Sequence, residues 1–150
     1  MTSELPAASR TFLTDAATRK FLTDPHTATF TTLRPDGTPH VTPVRFTFDT
    51  AAGLARVTTR AGARKARNVA AGGPAARIAL CQADGFRWVT LEGLATVTDD
   101  PARLAKAVRR YTDRYRAAPP APPDLVVIEI AVDRVLTLPR GLPSAASRAE

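Results

Sequence analysis

Two short glycine turns decide most of what this chain can fold into. Pro35-Asp36-Gly37 separates residues 27–34 (TATFTTLR) from 40–48 (HVTPVRFTF), and Asp84-Gly85 separates 77–82 (RIALCQ) from 86–97 (FRWVTLEGLATV). Proline presets φ at a turn's first corner and glycine supplies positive φ, so each pair of runs must fold back as antiparallel neighbours. The runs are rich in β-branched residues and alternate in character. In 40–48, Val41, Pro43, Arg45 and Thr47 share one face, and Thr42, Val44, Phe46 and Phe48 the other. Pro43 cannot donate to a ladder, so it marks an edge, a bulge or a break. A turn at 50–53 leads into a further strand at 54–59 (LARVTT), Gly93 predicts a bulge inside 86–97, and 125–138 (LVVIEIAVDRVLTL) is the last strand.

Helices interrupt this pattern three times. Thr14 is placed to cap a helix over 15–22, which Asp24-Pro25 ends. A short helix over 63–71 follows Gly62 and stops at Gly72-Gly73-Pro74, and Asp100-Pro101 opens a third with Leu104, Val108, Tyr111 and Tyr115 as its apolar stripe. Residues 117–123 (AAPPAPP) form an extended connector. Residues 1–12 and 139–150 are expected to be flexible, leaving one domain over 13–138. Six antiparallel strands burying one face each make a mainly β protein, a barrel or a sandwich.

The residue inventory excludes much chemistry. The single cysteine, Cys81, gives neither a disulfide framework nor a thiolate metal site, and its mid-strand position reads as a small core residue. His26 and His40 have no second ligand at metal spacing, and no nucleophile–base pair stands out. No Gly-x-Gly-x-x-Gly follows a strand. No apolar run is long enough to span a membrane and the N-terminal residues lack a secretion core, so a cytoplasmic location is expected. If the chain is an enzyme, a bound organic cofactor must carry the reaction.

The net charge of +7 is concentrated. No acid lies between Asp49 and Asp84, a stretch holding Arg56, Arg60, Arg64, Lys65, Arg67 and Arg77. The basic residues from Arg103 to Arg116 are partly offset by Asp99, Asp100 and Asp113 and read as a solvated helix face. A strand ending in Thr58-Thr59, then Gly62, then a helix start with Arg64 and Lys65, is an anion cradle: helix N–H groups and two cations converge there. The 56–67 segment has no aromatic residue to stack on bases, so nucleic acid is a poor partner.

Segments 28–49 (ATFTTLRPDGTPHVTPVRFTFD), 57–73 (VTTRAGARKARNVAAGG), 77–97 (RIALCQADGFRWVTLEGLATV) and 126–136 (VVIEIAVDRVL) resemble the flavin/deazaflavin split-barrel oxidoreductases related to pyridoxamine-phosphate oxidase. The resemblance covers about residues 13–137. It is closest to the coenzyme F420 branch, and CQADGFRWVTLEG, RRYTDRYR and VVIEIAVDRVL are similar to its actinobacterial biliverdin reductases. It implies a six-stranded antiparallel split β-barrel of the FMN-binding type and a homodimer with two cofactor clefts. It also implies coenzyme F420, with FMN as the alternative, and a small conjugated acceptor such as a bilin. The ring would lie along His40, Val41, Thr42, Pro43 and Val44. The phosphate would sit at Thr58, Thr59, Ala63, Arg64 and Lys65, and Gly62 and Asn68 would also belong to the cofactor site. The oligoglutamate tail would reach toward Arg60, and Gln82 and Trp88 would border the ring or the partner chain. No residue is assigned to acid–base catalysis. Arg45, where many relatives carry Trp or a small residue, is either a solvated or interface residue or an electrostatic contact to the acceptor, since a guanidinium stays protonated. A non-catalytic carrier of deazaflavin or haem is the remaining alternative.

Overall fold

The structure is a computed structural model and describes residues 5–138. In chain order it contains α1 (Ala7–Thr14), α2 (Ala16–Thr23), β1 (Thr27–Leu33), β2 (Pro39–Arg45), β3 (Thr47–Asp49), β4 (Leu54–Arg60), α3 (Arg64–Gly72), β5 (Arg77–Asp84), β6 (Arg87–Thr98), α4 (Pro101–Tyr115) and β7 (Leu125–Thr137). The strands form one antiparallel sheet in the order β2-β1-β5-β6-β7-β4-β3. The first and last strands of that order are consecutive in the chain, with only Phe46 between them. The sheet therefore curls until its two edges meet at one residue, which is the geometry of a split barrel. Phe30, Phe46, Val57, Leu80, Leu91, Ile128 and Ile130 fill its interior.

Seven strands replace the six expected because the run at 40–48 breaks at Phe46. Val44 and Phe46 both point into the core, and beyond them Thr47 and Asp49 are buried while Phe48 is only half-buried. Thr47 was expected on one face with Val41, Pro43 and Arg45; those three are exposed, whereas Thr47 lies buried in β3, against which α2 and α4 pack. Pro43 lies in β2, an edge strand, where its missing donor costs nothing. The bulge at Gly93 is present as a register shift between Glu92 and Gly93. A Cβ there would stand 2.0 Å from the Ala131 carbonyl oxygen, so only glycine fits.

The helix ends follow local chemistry, with two corrections. Asp15, not Thr14, caps α2: its carboxylate accepts the Thr18 N–H at 3.0 Å. Thr14 instead ends α1, a helix in a stretch where no element was expected. Leu13 anchors α1 in the core, and Ser9 Oγ accepts the Val135 N–H. Residues 139–150 lie outside the described residues. Asp100 caps α4 as expected, accepting the Arg103 N–H at 3.0 Å with Pro101 in the first turn. Its buried stripe is Ala107, Tyr111 and Arg114, with Leu104 and Val108 only half-buried. Cys81 is not a core residue: Ile78, Leu80 and Gln82 take the inner face of β5 and leave Cys81 half-buried on the outer one. Phe86 sits in the β5–β6 hairpin turn and is 75% exposed.

Candidate functional site

β2 is paired on one side only, so alternate N–H and C=O groups along His40–Val44 face away from the sheet. The side chains alternate with them. Val41 and Pro43 are exposed, His40 and Thr42 half-buried, and Val44 lies in the core, offering only its backbone.

Next to the start of β2 lies the N-terminus of α3. Asn68 of α3 donates to Thr32 at 2.9 Å and Thr32 pairs with His40, which brings α3 toward the start of β2, where His40 feels the charges of Arg34, Lys65 and Arg64. Burial first, then those three cations, holds the imidazole pKa below its ordinary value, so the ring is neutral at neutral pH. Its Nδ1 is buried with no hydrogen-bond partner among the described residues. Lys65 is itself partly buried, which lowers its pKa, and Arg64 is exposed beside it. The loop before α3 uses its own N–H groups. Ala61 donates to the Asp124 carbonyl at 2.9 Å, Gly62 to the Asp124 carboxylate at 3.4 Å, and Ala63 to the Arg60 carbonyl at 3.1 Å. The first helical bond runs from the Arg67 N–H to the Ala63 carbonyl at 3.0 Å. The N–H groups of Arg64, Lys65 and Ala66 therefore have no intrahelical acceptor, and the cap residue, Ala63, has no side chain to supply one. An uncapped helix start flanked by two cations and an orphaned imidazole nitrogen fits a phosphate.

At the other end of β2, α4 holds the chain. The Tyr115 hydroxyl accepts the Phe46 N–H at 3.0 Å and lies 2.8 Å from the carbonyls of His26 and Phe46. Arg114 is 7% exposed and has no ion-paired carboxylate among the described residues: it donates to the carbonyls of Phe46 (2.7 Å) and Asp24 (2.9 and 3.1 Å) and to Gln82 Oε1 (2.7 Å). Its guanidinium lies 4.6 Å from the Phe46 ring centre, and burial lowers its pKa. Arg45, exposed at the end of β2, donates to the Tyr111 hydroxyl at 3.0 Å and lies 5.1 Å from the Tyr115 ring centre.

The other expected site residues vary in how far they also hold the scaffold together. Gln82 is 0% exposed; its amide donates to the Phe21 carbonyl at 2.7 Å and accepts from Arg114, so it cannot border a surface ligand. Asn68 is buried, donates to Thr32 Oγ1 at 2.9 Å, and lines a cavity of about 280 Å³ whose walls include Arg34 and Arg77 but neither Arg64 nor Lys65. Gly62 needs no special backbone freedom, because a Cβ there would meet nothing closer than 3.9 Å. Thr58 and Thr59 are half-buried at the end of β4, and Trp88 is half-buried at the start of β6.

The acid-free stretch is also not acid-free in space. Arg56 is buried between Asp49 (3.4 Å) and Glu129 (3.5 Å), Arg77 pairs with Asp133 at 2.7 Å, and Arg60 with Asp124 at 3.3 Å. Arg64, Lys65 and Arg67 remain without a carboxylate partner among the described residues. The helix face from Arg103 to Arg116 is likewise not simply solvated: Arg103 pairs with Glu129 at 2.7 Å, Arg110 with Asp49 at 3.0 Å, and Arg114 is interior. Sequence reasoning missed Arg34. Hairpin register was the available signal, since Thr32 pairs with His40 and puts Arg34 at the mouth of the same hairpin.

A model of the pyridoxamine 5'-phosphate oxidase family matches residues 14–139, nearly the whole described barrel. The chain belongs to that family. An F420H(2)-dependent biliverdin reductase of Mycobacterium tuberculosis (strain CDC 1551 / Oshkosh) is 47% identical over 106 residues, covering 71% of this chain and 74% of that protein. A solved F420 reductase is 28% identical with a TM-score of 0.62, over 79% of this chain and 94% of that one. A conserved hypothetical protein of Mycobacterium tuberculosis shares the fold at 22% identity, with a TM-score of 0.68 over 97% and 99% of the two chains. In this pyridoxamine 5'-phosphate oxidase family member no helix among the described residues is long and apolar enough to cross a membrane.

Proposed function

We propose that this chain is a coenzyme F420-dependent reductase acting on a small conjugated acceptor, with biliverdin the first candidate. The observation that carries the reading is the uncapped start of α3, where Arg64, Lys65 and the orphaned His40 Nδ1 adjoin the free edge of β2. The relatives named F420H(2)-dependent biliverdin reductase and F420 reductase support the cofactor. When bound, the reduced deazaflavin supplies the hydride. The chain's part is binding and orientation. The N–H groups of Arg64, Lys65 and Ala66 and the two cations hold the phosphate. The unpaired backbone groups of His40–Val44 hold the polar edge of the ring. Arg45, fixed by Tyr111 and Tyr115, offers a permanent positive charge to an acceptor carboxylate and cannot itself give up a proton.

We further propose a homodimer. The register lines up Pro43, Thr29, Cys81, Thr90 and Leu136 across five strands, with Val41, Thr31 and Ala79 in the next row. Leu136 and Val41 are exposed there at 42% and 58%; beyond Ala79 the second row continues through Glu92 and Arg134, and the uncharged remainder of this outer face suits a second copy of the chain. FMN would satisfy the same phosphate site, so the cofactor is tested directly. Fluorescence titration should give saturable binding of F420 and weaker binding of FMN, and Lys65→Ala should weaken F420 binding about tenfold. Reduced F420 should be consumed when biliverdin is added. Unchanged F420 affinity in Lys65→Ala would refute the phosphate assignment, and preference for FMN would refute the cofactor.

A further inference from the structure

The sequence presents residues 60–67 as one continuous basic cradle, but the fold places an acid inside it. Asp124 is the last residue before β7, and the register pairing Arg60 with Leu125 sets it against the loop that follows β4. Its carbonyl accepts the Ala61 N–H, one carboxylate oxygen accepts the Gly62 N–H at 3.4 Å, and the other lies 3.3 Å from Arg60 Nε. Asp124 thus engages two backbone donors and the side-chain cation of this end, the groups an anionic ligand would use. The end at Ala63–Lys65 has no such internal anion. There the helix cap is an alanine, and the cations Arg64 and Lys65 lack carboxylate partners among the described residues.

We propose that Asp124 is a specificity-determining residue: a fixed internal anion that closes the Arg60–Gly62 end of the cradle and confines a bound phosphate to the Ala63–Lys65 end. This rests on reading the cradle as the phosphate site of an F420-type cofactor. A consequence is that a polyanionic tail gains nothing from Arg60, whose charge is already matched by Asp124. The site accepts the cofactor's single phosphate and stays nearly indifferent to the number of glutamates beyond it. This reverses the expectation that the tail extends toward Arg60.

The test compares the wild-type chain with Asp124→Asn, which keeps an acceptor for the Gly62 N–H but removes the charge. Asp84→Asn, in the β5–β6 hairpin, removes an equal charge elsewhere. Dissociation constants are measured by fluorescence titration with F420 bearing a short and a long glutamate tail, at low and high salt. Inorganic pyrophosphate is titrated in parallel by thermal shift. Wild type should bind both tail lengths within about twofold of each other. Asp124→Asn should bind the long-tailed cofactor about three- to tenfold more tightly, with a gain that salt suppresses, and should bind pyrophosphate more tightly too. Asp84→Asn should match wild type. Equal or weaker long-tail binding by Asp124→Asn overturns the proposal, as does a wild type that already discriminates strongly between tails. If wild type binds no F420, the cofactor reading fails, and the pyrophosphate comparison still decides whether Asp124 closes the cradle. Asp124→Ser, read by the same titrations, covers the case in which the asparagine variant melts early.

Discussion

Replacing Arg114 with methionine should destabilise the protein by about 2–4 kcal/mol, although the residue sits on a helix whose sequence reads as a solvated basic face. The magnitude comes from three acceptors that lose their donor. Gln82 Oε1 lies with the fully buried Gln82 side chain and depends on Arg114 Nη2 at 2.7 Å. The Asp24 carbonyl loses two donors, and the Phe46 carbonyl loses one but keeps the Tyr115 hydroxyl at 2.8 Å. An orphaned buried acceptor costs about 1–3 kcal/mol, so Gln82 and Asp24 dominate, while relief from burying the guanidinium offsets part of the sum. Methionine retains helix propensity and apolar bulk, which leaves the hydrogen bonds as the main difference. With an m-value of about 2 kcal/mol per molar urea, the unfolding midpoint should fall by about 1–2 M at fixed protein concentration. Arg109→Met, on the exposed face of the same helix, should stay within about 0.5 kcal/mol of wild type. If the two variants unfold together, Arg114 does not pin the break between β2 and β3 and the account of that corner is wrong.

Two further measurements bear on the site and the barrel. The His40 imidazole, followed by NMR in the free protein, should titrate below 6.5 and shift upward in saturating sulfate, because a bound anion counters the burial and the charges of Arg34, Lys65 and Arg64. The lowered value means that the unfolded chain takes up this proton first as pH falls, so His40 stabilises less below 6.5 than above it, and His40→Gln should remove that loss; a free-state value at or above 6.5 would refute the placement. Gly93→Ala should cost about 3 kcal/mol or more in thermal or urea unfolding, since its Cβ would meet the Ala131 carbonyl oxygen at 2.0 Å and the carbon at 2.8 Å, both backbone atoms that cannot turn aside. Gly62→Ala, with its nearest contact at 3.9 Å, should fold as well as wild type.

Local chemistry was legible in the chain itself. Gly37 and Gly85 turn with φ of +84° and +61°, Asp100 caps α4, Pro43 sits on an edge and Gly93 makes the bulge, each because a single residue type satisfies a backbone demand that its neighbours do not alter. The uncapped start of α3 with Arg64 and Lys65 was readable for the same reason. The fate of the other charges was not, because ion pairing depends on distance in space. Arg56, Arg60 and Arg77 find their carboxylates on Asp49, Glu129, Asp124 and Asp133, 7 to 73 positions away along the chain, once β4, β6 and β7 are in register. Gln82 and Arg114 were misplaced for a related reason: alternation and helical period report which residues share a face, and only packing decides whether that face meets water or another element. The sequence alone thus determined the turns, one anion-ready helix start and every strand except the one that breaks at Phe46; the tertiary structure decided that break and which of the cations stay free, because burial and sheet register consume the rest.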